Sequence, residues 1–137
     1  MLAENLNVEK GTPLIKVERV ITTEHRPVAY LIDILPENIL SPEELEQGFT
    51  GSVLDFLLKR GDLNLMNSYT EINATSASSE IAKALEIQRG DPLLLFEAYL
   101  YDDGGRVVDY SHSYFLPGYF RFHLVRRVAS RSTANHV

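Results

Sequence analysis

The residues of this chain that could do chemistry are a few polar groups set into apolar runs. In Val107–Leu116 (VVDYSHSYFL), Asp109, Ser111 and Ser113 alternate with Val108, Tyr110, His112 and Tyr114. Period-two alternation puts the first set on one face of a strand and the second set on the other. In the run PLIKVERVITT, Arg19 shares a face with Val17 and Ile21, and Lys16, Glu18 and Val20 share the opposite one. A carboxylate, two hydroxyls and a guanidinium can accept from, donate to and neutralise a polar ligand. Two readings stay open. If the aromatic face of the strand is core, the Asp-Ser-Ser row faces solvent. If the row lines a concave sheet, its buried polar groups imply a ligand or ordered water, because unpaired burial costs free energy. The carboxylates Asp33, Glu97 and Asp109 are candidates for an acidic dyad, which spacing alone does not establish.

Signatures of catalysis are missing. The sequence has no GxSxG elbow and no glycine-rich phosphate loop. Its four histidines, His25, His112, His123 and His136, never fall at the three- or four-residue spacing of a helical metal pair. With no cysteine there is no disulfide framework and no thiolate metal site. Asp102 and Asp103 sit in a turn sequence, where aspartate serves the backbone. The expectation is a chain without catalytic residues, metal or cofactor.

The 137 residues suit one domain able to bury its own core. The net charge of −6 repels nucleic-acid phosphates at long range. Arg121, Arg126, Arg127 and Arg131 cluster near the end, and read as a solvated terminus rather than a nucleic-acid footprint. No apolar run approaches the roughly 20 residues of a membrane span. The opening MLAENLNVEKGTP has no signal-peptide pattern. The expected location is cytoplasmic, with no membrane partner.

The elements that must position these residues follow from periodicity and punctuation. Residues 1–12 read as a loosely held segment or linker remnant. Two strands follow, joined by the polar connection Glu24-His25-Arg26. Ser41-Pro42-Glu43-Glu44 opens a short helix, and Ser52 caps a second one that stops at Gly61. Leu65–Ala74 is a strand, and Ser76 or Ser78 caps a third helix. Leu93–Tyr101 and Arg106–Leu116 are long strands joined at Asp102-Asp103-Gly104-Gly105. Phe120–Val125 is a last short extended piece, and residues 129–137 form a tail. Hairpins at both ends predict an α+β fold, an antiparallel β-sheet with flanking helices.

The run Pro92-Leu93-Leu94…Tyr101-Asp102…Gly105…Val108-Asp109-Tyr110-Ser111…Tyr119-Phe120-Arg121-Phe122 resembles the end of a UTRA domain. That is the effector-binding half of GntR-type transcriptional regulators of the HutC subfamily. Arg19, Pro27, Leu35-Pro36, Ile72-Asn73-Ala74, Leu85-Glu86-Ile87 and Gly90 add to the resemblance, which spans residues 13–127. It implies a chorismate-lyase-like fold around a pocket for a small-molecule effector such as a sugar, nucleoside or other metabolite. It also implies a homodimer. Operator DNA would be reached only through a winged helix-turn-helix domain that precedes such domains and is missing here, so a fragment is expected. The site residues it implies are Arg19, Asp109, Ser111, Ser113, Phe115, Thr75 and Glu97. Arg19 matches a strand arginine used on the effector's acidic group, Asp109 stands where glutamate is frequent, and Ser111 matches a small hydroxyl residue. Phe115 replaces a common tyrosine, Gly118 a frequent aspartate, and Ile21 and Ala98 replace arginines. Fewer cations imply a neutral or singly charged effector. The rival readings are a chorismate-lyase-like enzyme and a dimerisation module with a degenerate pocket.

Overall fold

The computed structural model describes residues 5–6, 8–48 and 51–129. Its strands are β1 (Leu14–Thr23), β2 (Arg26–Pro36), β3 (Leu65–Ser76), β4 (Pro92–Asp102) and β5 (Val107–Phe115). Its helices are α1 (Pro42–Gln47), α2 (Val53–Arg60) and α3 (Ser79–Leu85). The strands make one five-stranded antiparallel sheet in the order β1-β2-β5-β4-β3. The last strand in sequence is thus the middle strand in space.

Each helix starts where a serine oxygen can accept an otherwise orphaned backbone N–H. Ser41 accepts from Glu44 and Ser52 from Asp55, each with the reciprocal carboxylate bond of a capping box. Of the two serines that could cap α3, Ser78 does so. Gly61 ends α2 in the left-handed region at φ 76°. Glu24 and His25 form the two-residue turn between β1 and β2, with φ of 49° and 64°. Two positive φ values match the strand twist, but they favour asparagine and glycine over Glu and His.

Both faces of the sheet are covered. On one, α2 lays Val53 and Leu57 against Ile15, Val17, Leu35 and Val108. On the other, α3 buries Ile81, Ala82 and Leu85, with Ala77 just before it, against Tyr30, Leu93 and Leu116. Next to this second cluster, Leu6 packs with Ile34, Val107 and Tyr110. Leu6 is fully buried although it lies in the segment expected to be loosely held. An apolar side chain with an open slot on the sheet beside it gains more from burial than a polar linker loses in freedom.

Two local expectations need correction. Val108 does not share the face of Tyr110. The ladder shifts where Leu100 pairs with Asp109 and Tyr101 with Val107, leaving Val108 as an extra residue. This β-bulge turns Val108 into the α2-side core. The extended piece at Phe120–Val125 is not a strand; its neighbourhood has only an isolated bridge between Pro117 and Phe120. There, Phe120 and Phe122 stack on each other and pack edge-on to Phe115, so side-chain packing holds the segment rather than a ladder. The expected tail lies outside the described residues from 130 onward.

Candidate functional site

The sheet face under α2 carries a polar band across its middle strands. In register, Arg19 of β1 pairs with Leu31 of β2, Leu31 with Ser113 of β5, and Ser113 with Phe96 of β4. One step along, Val17 pairs with Asp33, Asp33 with Ser111, and Ser111 with Ala98. Here the core contributed by α2 gives out and a cavity of about 290 Å³ opens. Arg19, Asp33, Asp109, Ser111, Ser113 and Phe115 line it from the sheet. Ser52, Val53 and Leu54, at the start of α2, close it from above. Its volume is that of roughly ten waters at about 30 Å³ each.

The polar groups of this cavity are incompletely paired. Asp33 and Asp109 are 8% and 6% exposed, the two buried charged side chains among the described residues. Asp109 Oδ1 is fully buried and accepts no hydrogen bond from the protein. Burial, and then the neighbouring Asp33 carboxyl, push the Asp109 carboxyl well above the usual carboxylate range. The Arg19 guanidinium acts in the opposite sense and is outweighed. Arg19 donates from Nη1 to the Gly51 carbonyl at 2.5 Å, but its buried Nε–H has no acceptor. Native proteins rarely leave such groups orphaned, and each costs about 1–3 kcal/mol.

Five of the expected residues, Arg19, Asp109, Ser111, Ser113 and Phe115, therefore meet in one cavity. Two do not. Thr75 pairs with Leu93, whose side chain is in the α3-side core. Glu97 pairs with His112 on the same far face. There it accepts a short hydrogen bond from the Tyr110 hydroxyl, and His112 Nε2 lies 3.0 Å from the same carboxylate. The Tyr110 bond first, and His112 second, hold the Glu97 carboxyl below its ordinary value. The reason for the correction is parity: Ala98 and Phe96 point to the cavity face, so Glu97 between them cannot. The acidic pair is accordingly Asp33 with Asp109. Sequence reasoning passed over Ser68 and the start of α2. The signal for the latter was present, since Ser52 follows a glycine whose φ of +87° turns the chain into the helix.

A half-open cavity, apolar over most of its wall with a few convergent polar groups, on an antiparallel sheet is the kind of site a small-molecule-binding α+β domain presents. Comparison with known proteins makes this particular. A family model described as the UTRA domain matches residues 1–121. A Streptomyces coelicolor protein assigned to transcriptional regulation is 30% identical, with 92% of this chain and 85% of that chain covered, at a TM-score of 0.76. The effector domain of PhnF from Mycobacterium smegmatis is 22% identical over 93% of this chain and 78% of that chain, at a TM-score of 0.80. A GntR-family transcriptional regulator from Enterococcus faecalis V583 is 24% identical over 90% and 88%, at 0.76. The comparison with curated proteins finds no match. The chain belongs to the UTRA domain family. Its chorismate-lyase-like fold is shared with the ligand-binding and effector domains of GntR-family transcriptional regulators. Among the described residues no helix is long and apolar enough to cross a membrane, and no cluster of side chains could hold a metal.

Proposed function

We propose that the cavity between the sheet and α2 is the effector site, and that Arg19, Asp109, Ser111 and Ser113 are its polar contacts. One observation carries this reading: two orphaned buried polar atoms, Arg19 Nε and Asp109 Oδ1, belong to residues lining the same cavity. Neither Ser111 nor Ser113 is committed to a hydrogen bond elsewhere in the described protein, so both hydroxyls are free to turn to a ligand. Phe115 forms an apolar wall, braced edge-on by Phe96 and Phe122 at 5.1 and 4.9 Å.

The domain senses its ligand without transforming it, in the cytoplasm, and acts on operator DNA through a winged helix-turn-helix domain in the same protein. The effector shifts the balance between arrangements of the two domains by binding one more tightly than the other. The domain works as a homodimer. In support, β3 is an edge strand on which Met66, Tyr69 and Ile72 are all exposed. With a single arginine in the cavity, the effector is neutral or singly charged. Isothermal titration calorimetry tests this. Tight binding of a sugar phosphate, with none of the free sugar or a nucleoside, contradicts the charge assignment. Undiminished binding of an identified effector by the Arg19→Ala domain contradicts the site.

A further inference from the structure

The charge balance of the cavity narrows the chemistry of the effector, given the reading of this cavity as the effector site. The groups that can carry charge there are Arg19 from β1, Asp33 from β2 and Asp109 from β5. The other strands contribute Ser68, Ala98 and Leu100, and α2 contributes Ser52, Val53 and Leu54, all uncharged. Asp33 and Asp109 are diagonal neighbours across the β2–β5 ladder, since Asp33 pairs with Ser111. Both are buried, and no protein donor reaches Asp109 Oδ1. Burial, and then the neighbouring Asp33 carboxyl, raise the Asp109 carboxyl well above the usual carboxylate range, so this acid holds its proton more tightly than a free one.

We propose that the effector is a small primary amine whose ammonium group sits on the Asp33–Asp109 pair while a neighbouring hydroxyl or carbonyl oxygen accepts from Arg19 Nε. The ammonium takes the place of the held proton. One cation enters, one proton leaves to solvent, and the charge of the site is unchanged with both orphaned atoms partnered. A hydroxyl in the same place would donate to one carboxyl but leave the proton where it was. A phosphate would set two negative charges beside a buried carboxylate with a single arginine to answer them. The cavity, about 290 Å³ and open on one side, has room for a ligand about the size of a hexose.

The test uses matched ligands that differ at one position: 6-amino-6-deoxy-D-glucose, D-glucose and D-glucose 6-phosphate, with ethanolamine and ethylene glycol as a smaller pair. Each is titrated into the labelled domain at up to tens of millimolar, following the amide signals of Ala98, Ser111 and Ser113. The amine of each set should bind at least tenfold more tightly than its alcohol. Its affinity should rise by up to tenfold per pH unit below the midpoint of the carboxyl pair. Calorimetry in two buffers of different ionisation enthalpy should give release of about one proton per amine bound. The Asp109→Asn domain, checked for an intact amide spectrum, should lose both the preference and its pH dependence. If glucose or the phosphate binds there as tightly as the amine, or the amine binds without releasing a proton, the amine inference is overturned and the cavity reading stands. If no compound moves those amides, the cavity reading itself is overturned.

Discussion

Asp109→Asn isolates the cost of the buried acid from everything else that titrates in the domain. Asp109 is 6% exposed and its carboxyl is pushed well above the usual range, first by burial and second by Asp33. An acid whose folded value is raised binds its proton more tightly in the native state than in the unfolded chain. Its contribution to stability is therefore complete below the unfolded value of about 3.9. It is lost as pH rises through the folded value, at up to about 1.4 kcal/mol per pH unit. Asparagine has nearly the same shape, and its amide can donate to Asp33 at every pH. The carboxylates held low by partners, Glu18, Glu44, Asp62 and Glu97, titrate in the opposite sense. They are present in both proteins and cancel in the difference. Urea denaturation of the two proteins over a pH series measures that difference directly. The variant should gain on the parent with rising pH at up to about 1.4 kcal/mol per unit, or about 4 °C in melting temperature. Parallel stability curves across the whole series would refute a proton held at this pair.

In the full regulator, Arg19→Ala should weaken the effector response by roughly 10- to 100-fold, the loss expected for a charged hydrogen bond of about 1.5–3 kcal/mol. Operator binding by the unliganded protein should be unchanged, and its loss in a gel-shift assay would count against the role given to Arg19. His25→Gly should stabilise the domain by about 1 kcal/mol in urea denaturation, because it relieves a left-handed non-glycine residue in the β1–β2 turn; destabilisation would mean that the turn is not as described. Tyr110→Phe removes the hydroxyl bonded to Glu97 and should cost about 1 kcal/mol of stability. It should leave effector affinity unaltered, since Tyr110 faces away from the cavity; a large change in affinity would contradict that geometry. In hydrogen exchange with and without effector, amides at the start of α2 should gain protection while those of β5, already in the ladder on both sides, should not. The reverse pattern would show that α2 is not the wall that responds.

The elements were legible because their signals are local. Ser41, Ser52 and Gly61 mark helix ends by hydrogen bonds to residues three or four positions away, and the Asp102–Gly105 turn is closed by the Gly105 N–H donating to the Asp102 carbonyl. What sequence could not supply was strand order. Val107–Phe115 looked like an ordinary hairpin partner, with a choice between a polar row facing solvent and one lining a concave sheet. As the middle strand of the sheet it packs Tyr110 and Tyr114 on one face and lines the cavity with Asp109, Ser111 and Ser113 on the other. The Val108 bulge was invisible for the same reason, since it exists only relative to the Leu100–Tyr101 step of β4. Glu97 was a reasonable candidate by type. It was misplaced because its partners, Tyr110 and His112, become neighbours only when β4 pairs with β5.

The same middle strand explains why a stable small domain tolerates such poor pairing at its centre. Elsewhere, polar groups that enter the sheet are partnered: Tyr30 with Glu18, and Tyr110 and His112 with Glu97. Arg60, at the end of α2, meets Glu44, Asp62 and the Ile39 carbonyl. The exceptions gather in the cavity, where Arg19 Nε and Asp109 Oδ1 go without. Replacing Arg19 and Asp109 by apolar residues would cure both defects and extend the core that Ile15, Val17, Leu35 and Val53 already build. A domain selected for stability alone would have taken that step. Keeping two groups without a protein partner in one cavity instead marks the place where a polar ligand can displace water and meet both.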